Sequence, residues 1–152
     1  MDILIRKILR LISGKNDGSL KDKMTFRDDL KITMRYPDGS IFKQWEEKAN
    51  TWITYGKGQI RDALDGGGFT AIGFMYCTAG AGSSEEDTTN STPAADKARF
   101  IATWASAGAI TGITKFAIRQ VTSGSALAEI SCTSFDKPDG ISLEITWDTT
   151  IS

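Results

Sequence analysis

The segment from position 141 to position 152 alternates strictly between two kinds of side chain. Odd positions carry Ile, Leu, Ile, Trp, Thr and Ile, whereas even positions carry Ser, Glu, Thr, Asp, Thr and Ser. Successive side chains of a β-strand point to opposite faces of its sheet, so this period of two is typical of a strand. The segment therefore predicts one long strand with an apolar face and a polar face that meets solvent or a partner.

A second alternating segment, residues 30–36, is followed by a strong turn signal. Leu30, Ile32, Met34 and Tyr36 alternate with polar residues and share one face of the predicted strand, and the turn sequence Pro-Asp-Gly-Ser occupies positions 37–40. Another apolar segment, residues 41–45, comes directly after the turn. This order predicts a β-hairpin.

The rest of the chain carries further strand signals and one helix signal. Residues 69–77 form a continuous apolar run, which is typical of a strand buried on both faces. The spacing of apolar residues over 46–64, which ends at three glycines, predicts a short helix. Three more strands are predicted at 99–107, 113–121 and 126–135. We therefore predict a mainly β chain, an antiparallel β-sandwich or jelly-roll-like domain with one short internal helix.

The first 29 residues have a different character and predict an N-terminal helical arm. Apolar residues at helical spacing over 1–13 indicate an amphipathic helix, and the polar, aperiodic residues 14–29 indicate an extended linker. We assign residues 1–29 to this arm and residues 30–152 to the β-sandwich domain. A helix this short gains stability by docking, so we expect it to bind a neighbouring subunit, with a membrane surface as the alternative. The predicted partner-binding residues are Ile5, Ile8, Leu9 and Ile12.

The absence of histidine from all 152 residues argues against an enzyme. Histidine is the commonest general base near neutral pH, and Ser-His and Cys-His nucleophiles require it. Cys77 and Cys132 lie in apolar, strand-like runs, so we expect two small buried thiols, with a disulfide as the alternative if their strands are neighbours. Two cysteines without histidine do not complete a zinc site unless carboxylates join them, and we expect neither metal nor cofactor.

The charge balance and the hydropathy pattern limit the expected partners. Eighteen Lys and Arg against nineteen Asp and Glu give a formal net charge of -1, which provides no whole-molecule attraction to nucleic acid or to an anionic membrane. No run approaches the roughly 18 apolar residues that a transmembrane helix needs. We therefore expect neither nucleic acid nor membrane as a partner.

Residues 78–97 are rich in Gly, Ser, Thr and Asn and predict a long exposed loop. Glu85, Glu86 and Asp87 form an acidic cluster within it, without the ligand spacing of a calcium loop, so we expect a solvated loop tip. The four tryptophans each fall within an apolar pattern and are expected to pack in a core or an interface, with stacking on sugars as the alternative.

From residue 50 onward the order of short motifs resembles a recurrent type of tailed-bacteriophage virion structural protein, of the head decoration, neck or tail-associated kind. Residues 50–56, Asn-Thr-Trp-Ile-Thr-Tyr-Gly, resemble an Asn-x-x-(Ile)-Thr-x-x-Gly start that leads into a short helix, and residues 74–88 resemble a strand, a Gly-x-Gly loop and Asp-Thr. Arg99 opens the next strand, residues 113–118 match Ile-Thr-x-x-x-Ile, and residues 143–151 match Leu-x-Ile-Thr-Trp-x-x-x-Ile. Together these motifs cover about two-thirds of the chain.

The resemblance implies a non-enzymatic structural subunit of a virion, in a capsid decoration, the neck or the tail, that acts through protein-protein packing. Its implied partners are copies of itself, a trimer being one expected form, and other virion proteins. The alternative is a carbohydrate-binding β-sandwich module for host adhesion, in which the long loop and an exposed tryptophan bind sugar. A hydrolase that uses Glu85 and Asp87 is a third hypothesis, which the missing histidine disfavours.

Overall fold

The computed structural model describes residues 25–49, 52, 56–59, 70–80, 82–122 and 124–151. Within these ranges residues 56–59 are helical, and nine strands form. The strands are β1 (Phe26–Arg35), β2 (Ile41–Ala49), β3 (Phe74–Ala79), β4 (Gly82–Asp87), β5 (Thr89–Ala94), β6 (Lys97–Trp104), β7 (Ile110–Arg119), β8 (Ala126–Lys137) and β9 (Ser142–Ile151).

The strands form two antiparallel sheets, which confirms the prediction of a mainly β chain with one short helix. One sheet has five strands in the order β2-β1-β9-β6-β5, and the other has four in the order β4-β3-β7-β8. β9 lies at the centre of the five-stranded sheet, between β1 and β6. The predicted alternation of β9 is confirmed, because all its odd positions from 143 to 151 are buried and its even positions are only half-buried.

Both sheets contribute to one hydrophobic core. Trp104 of the five-stranded sheet lies 5.9 Å from Phe116 of the four-stranded sheet, measured between ring centroids, and its indole N–H donates to the Ser84 hydroxyl at 3.0 Å. On the opposite side of the core, Trp45 meets Phe135 edge to face with centroids 4.7 Å apart. These contacts connect the two sheets, and the apolar side chains of both sheets belong to one buried cluster.

The hairpin and the three strands predicted between residues 99 and 135 are confirmed, with small differences in their bounds. β1 begins at Phe26, so our assignment of residues 26–29 to the linker is wrong. The reason is packing: Phe26 lies 5.0 Å from Trp52 between ring centroids, and Asp28 is fully buried. The predicted arm helix and the linker up to residue 24 lie outside the described residues.

The predicted long loop over residues 78–97 is wrong, because this segment contains β4 and β5. Glu85, Glu86 and Asp87 therefore belong to a strand that pairs with β3 along its whole length. The chain changes sheets at Thr88, whose N–H donates to the Gly73 carbonyl at 2.8 Å. Both strands lie at sheet edges, where side chains stay in contact with solvent, and their loop-like composition is compatible with strand structure for that reason.

The predicted helix over residues 46–64 is wrong in its first part, because β2 continues to Ala49. Residues 46–49 pair in regular register with Lys31 to Asp28 of β1, and this pairing overrides the local helical signal. Residues 56–59 are helical as predicted, and Trp52 forms an isolated bridge with Ala128 of β8. The strand predicted at 69–77 is confirmed in its second half, where β3 begins at Phe74.

Candidate interaction site

A hydrogen-bonded turn holds the end of the β1–β2 hairpin. The N–H of Tyr36 donates to the Ser40 carbonyl at 3.0 Å, and the N–H of Gly39 donates to the Tyr36 carbonyl at 2.9 Å. Gly39 has a φ of 85°, a conformation that favours glycine. Asp38 Oδ1 accepts hydrogen bonds from the Ser40 hydroxyl at 2.6 Å and the Ser40 N–H at 2.9 Å, and these bonds lower the pKa of the Asp38 carboxyl. The turn is therefore well ordered by its own sequence.

This turn presents three large apolar side chains to solvent. Tyr36, Ile41 and Phe42, which we name the hairpin tip, have relative exposures of 44%, 52% and 42%. The rings of Tyr36 and Phe42 meet edge to face with centroids 5.3 Å apart. Single exposed apolar residues are common on protein surfaces, but adjacent ones that pack on each other in solvent mark an interaction site.

The sequence pattern placed Tyr36 on the buried face of its strand, together with Ile32 and Met34. The structure exposes it because the neighbouring strand ends first: the last pair between β1 and β9 is Arg35 with Ser142. Tyr36 therefore lies beyond the edge of its neighbour, where its ring meets that of Phe42. Alternation within one strand carries no information about where the next strand stops, so the sequence contained no signal for the hairpin tip.

β2, which leads away from the hairpin tip, is an edge of the five-stranded sheet. Its only strand partner is β1, and within the described ranges its outward backbone groups make no backbone hydrogen bond. Residues 41–44 are all exposed. Further along, Trp45 is half-buried against Phe135, and the ammonium of Lys43 lies 4.8 Å from the centroid of its indole ring. The hairpin tip and this open edge form one continuous surface.

The three acidic residues that we predicted in a loop do not form a common site. Glu85 faces outward and forms an ion pair with Arg119, with Oε2 and Nη1 2.8 Å apart, and it also accepts a hydrogen bond from the Thr122 hydroxyl. Glu86 lies opposite Met75 on the core side of β4, and burial, followed by the charge of Asp87, raises the pKa of its carboxyl. Successive side chains of β4 point to opposite faces of the sheet, so the carboxylates of Glu85 and Glu86 lie on different faces.

Arg119 also connects Glu85 to the rest of the outer face of the four-stranded sheet. Its guanidinium lies 3.4 Å from the ring centroid of Tyr76, a cation–π contact. The Tyr76 hydroxyl donates to Glu129 Oε1 at 3.4 Å, and the ammonium of Lys115 lies 3.2 Å from the same oxygen. These charges neutralise one another, so the face presents a closed network.

The outer face of the five-stranded sheet has a shallow depression of about 330 Å³. Arg99 crosses it and binds Asp148 through two hydrogen bonds, of 2.7 and 2.8 Å. This bidentate bond raises the pKa of the Arg99 guanidinium and outweighs the opposing effect of desolvation. No aromatic ring lines the depression, and its charged lining is balanced between Asp29, Glu46, Asp148, Lys31, Lys48 and Arg99.

The tryptophans lie where core packing predicts. Trp52, Trp104 and Trp147 are buried, and Trp45 is half-buried. The indole N–H of Trp147 donates at 3.0 Å to a buried carboxylate oxygen, Oδ1 of Asp28. The exposed tryptophan and the long loop on which the sugar-binding hypothesis depended are therefore both absent from the described chain.

Both cysteines are free thiols on the core side of the four-stranded sheet. Cys77 is fully buried, as predicted, whereas Cys132 is only half-buried. Burial is the main cause that raises the pKa of Cys132, to about 11, with Glu47 and Cys77 adding to it. No group of three or more cysteine, aspartate or glutamate side chains within the described ranges is arranged to hold a metal ion.

The predicted partner-binding residues of the arm, Ile5, Ile8, Leu9 and Ile12, lie outside the described residues. Among the residues that are described, no helix is long and apolar enough to cross a membrane. Comparison with known proteins finds no matching family model, no similar curated protein and no similar solved structure.

Proposed function

We propose that this chain is a non-enzymatic structural subunit of a tailed-phage virion, a capsid decoration, neck or tail component that acts by packing against other proteins. The observation that carries the proposal is the hairpin tip, three exposed apolar side chains, two of them in contact, that a hydrogen-bonded turn holds in solvent beside an open strand edge. A partner that covers them removes apolar surface from water at a gain of about 25 cal/mol per Å².

Two other features support a packing role. Several described carboxylates of the outer faces are engaged with cations, for example Glu85 with Arg119 and Asp148 with Arg99, and these are poorly suited to proton transfer. The chain also lacks histidine. For the proposed subunit, the two sheets and their shared core form a β-sandwich as the rigid body.

The virion assignment rests on the order of the motifs after residue 50. The matched residues have structural roles here: Arg99 pairs with Asp148, which follows Trp147 in the last motif, across the β6–β9 pairing. These motifs therefore support a shared architecture, while the hairpin tip provides the surface through which such a body could assemble. In this proposal Ile5, Ile8, Leu9 and Ile12 of the arm dock on a neighbouring subunit.

The test measures incorporation into particles. Phe42→Asp places a charge in the hairpin tip, and Val121→Asp is a matched control, because Val121 is also exposed, at 54%, but lies in the turn after β7. Particles assembled with the Phe42→Asp chain should contain about tenfold less of it than particles with the wild type, since a buried unpaired charge costs several kcal/mol. Val121→Asp should incorporate normally.

Two results would contradict the proposal. Equal incorporation of both variants would exclude the hairpin tip as the assembly surface, and absence of the wild-type chain from purified tailed particles would exclude the virion role. Deletion of residues 1–18 tests the arm separately: incorporation of the truncated chain at normal occupancy would show that the arm is not an anchor.

A further inference from the structure

The four sheet edges differ in how they are protected against pairing with another chain. β5 contains Pro93, which has no N–H to donate, and its pairing with β6 is irregular between Ser91 and Ala94. β4 carries acidic residues at each of positions 85–87. Arg119 neutralises Glu85, and the carboxylates of Glu86 and Asp87 would repel those of a second copy. Such features are usual means by which natural sheets block edge pairing.

The edge strand β8 is protected by the chain itself. Trp52 forms a bridge with Ala128, and Gly56 lies so close to the Leu127 backbone that no side chain fits between them. Residues 52 and 56 thus cover the beginning of β8. Among the described residues, β2 has no proline, no run of three like charges and no covering segment, and its pairing with β1 shifts register only between Met34 and Arg35.

The charges of β2 are balanced and are arranged so that the strand complements itself. It carries Lys43 and Lys48 together with Glu46 and Glu47. Lys43 and Glu47 lie on the same face as Trp45, since they pair with Met34 and Leu30 of β1. Neither of them has an ion-pair partner within the described part of the chain.

Symmetry restricts how two copies of β2 can meet. A twofold axis perpendicular to the sheet makes the two copies antiparallel and keeps the same face of each strand on the same side. Residues that lie opposite each other must then point to the same face, so the residue at the axis lies opposite its own copy. If that residue is Trp45, Lys43 lies opposite Glu47 of the second copy, twice in the dimer. Registers centred on Gln44 or Glu46 bring no opposite charges face to face. The register centred on Glu47 pairs Glu46 with Lys48 but places the Glu47 carboxylate opposite itself, so the charge pattern favours Trp45 as the centre.

We propose that a second copy of this chain binds along the β2 edge, antiparallel and centred on Trp45, and joins the two five-stranded sheets into one. Phe42 of the hairpin tip then lies opposite Lys48 of the second copy and packs on its aliphatic stem. This inference deepens the proposed function by identifying the surface of self-association, and it rests on that function only for the premise that copies of the chain assemble. It makes the basic unit a twofold pair, whereas a trimer was the form expected above.

The experiment uses charge reversal with rescue. Lys43→Glu opposes two carboxylates in the dimer and Glu47→Lys opposes two ammonium groups, so each variant alone should dimerise about tenfold more weakly than the wild type, or worse. A mixture of the two variants restores both pairs and should form a heterodimer of near wild-type affinity. Lys57→Glu, an equal charge reversal at an exposed residue of the short helix and outside β2, is the matched control and should leave dimerisation close to the wild-type level.

Sedimentation equilibrium of the full chain gives the mass and the association constant, and native mass spectrometry of an isotope-labelled mixture identifies the heterodimer. A dimer that the single variants weaken and the mixture restores supports the proposal. A monomeric wild type, a trimer, or single variants that dimerise normally would each overturn it. Incorporation into particles remains a separate measurement, so the virion role can stand when this interface fails.

Discussion

Two glycines in the short helix differ sharply in their surroundings, and substituting each by alanine should have opposite effects. A Cβ atom added to Gly56 would overlap the Leu127 carbonyl oxygen and lie 2.8 Å from its carbonyl carbon. A Cβ atom added to Gly58 would meet nothing within 4 Å. The two substitutions are chemically identical and lie within one helical turn, so each is the control for the other.

The expected magnitudes follow from these contacts. Gly56→Ala forces the segment away from the backbone of β8, and overpacking of this kind costs about 1–3 kcal/mol of the free energy of unfolding. The displacement also disturbs Trp52, which is 4% exposed and packs on Phe26. Gly58→Ala should stabilise the protein by up to about 1 kcal/mol, because alanine loses less conformational entropy than glycine in a helix.

Urea unfolding followed by tryptophan fluorescence measures both variants. With an unfolding slope of about 1–3 kcal/mol per molar urea, a difference of a few kcal/mol separates the two midpoints by roughly 1 M or more. The reasoning is refuted if Gly56→Ala unfolds at the same urea concentration as Gly58→Ala. That result would mean that the segment does not lie against Leu127.

Three further predictions concern buried polar groups. Thr149→Val removes the hydroxyl that donates to Asp28 Oδ1 at 2.6 Å, so it should lower the free energy of unfolding, measured in urea, by about 1–3 kcal/mol. Thr150→Val, at the half-exposed neighbour, is the control and should change it little. Equal stabilities of the two variants would contradict this. Burial raises the pKa of the Glu86 carboxyl, so folding favours its protonated form, and its contribution to stability falls as the pH rises above its ordinary pKa. Glu86→Gln should therefore stabilise the protein at pH 7 but not in acid. An equal effect at both pH values would contradict the raised pKa. With its pKa raised to about 11, Cys132 should react with a thiol reagent up to about tenfold more slowly at neutral pH in the folded protein than in urea, because its thiolate fraction falls more than its nucleophilicity rises; equal rates would exclude its burial.

Strands that bury one face could be predicted from the sequence because burial imposes a pattern. β9 is the clearest case: Leu143, Ile145 and Trp147 alternate in the sequence because they face one core. The edge strands could not be predicted in the same way. All six residues of β5 are exposed, so solvent selects the same polar residues that it selects in a loop, and only pairing with β6 makes the segment a strand.

The long-range contacts were also beyond the reach of the sequence. Arg99 and Asp148 are 49 positions apart, and nothing local in either segment predicts their bidentate ion pair. The hairpin tip was missed for a related reason, since the exposure of Tyr36 depends on where β9 ends. The turn itself was predicted correctly, because Asp38, Gly39 and Ser40 determine it through local hydrogen bonds.

The central claim is that this chain is an assembly subunit, and the composition of purified particles tests it most directly. Tailed particles from a culture that produces the chain are purified on a density gradient, and the chain is quantified by mass spectrometry against the major capsid protein. The account predicts a fixed, multiple copy number per particle across the peak fractions. A chain that remains in the soluble fraction, with no constant ratio to the capsid protein, would contradict it.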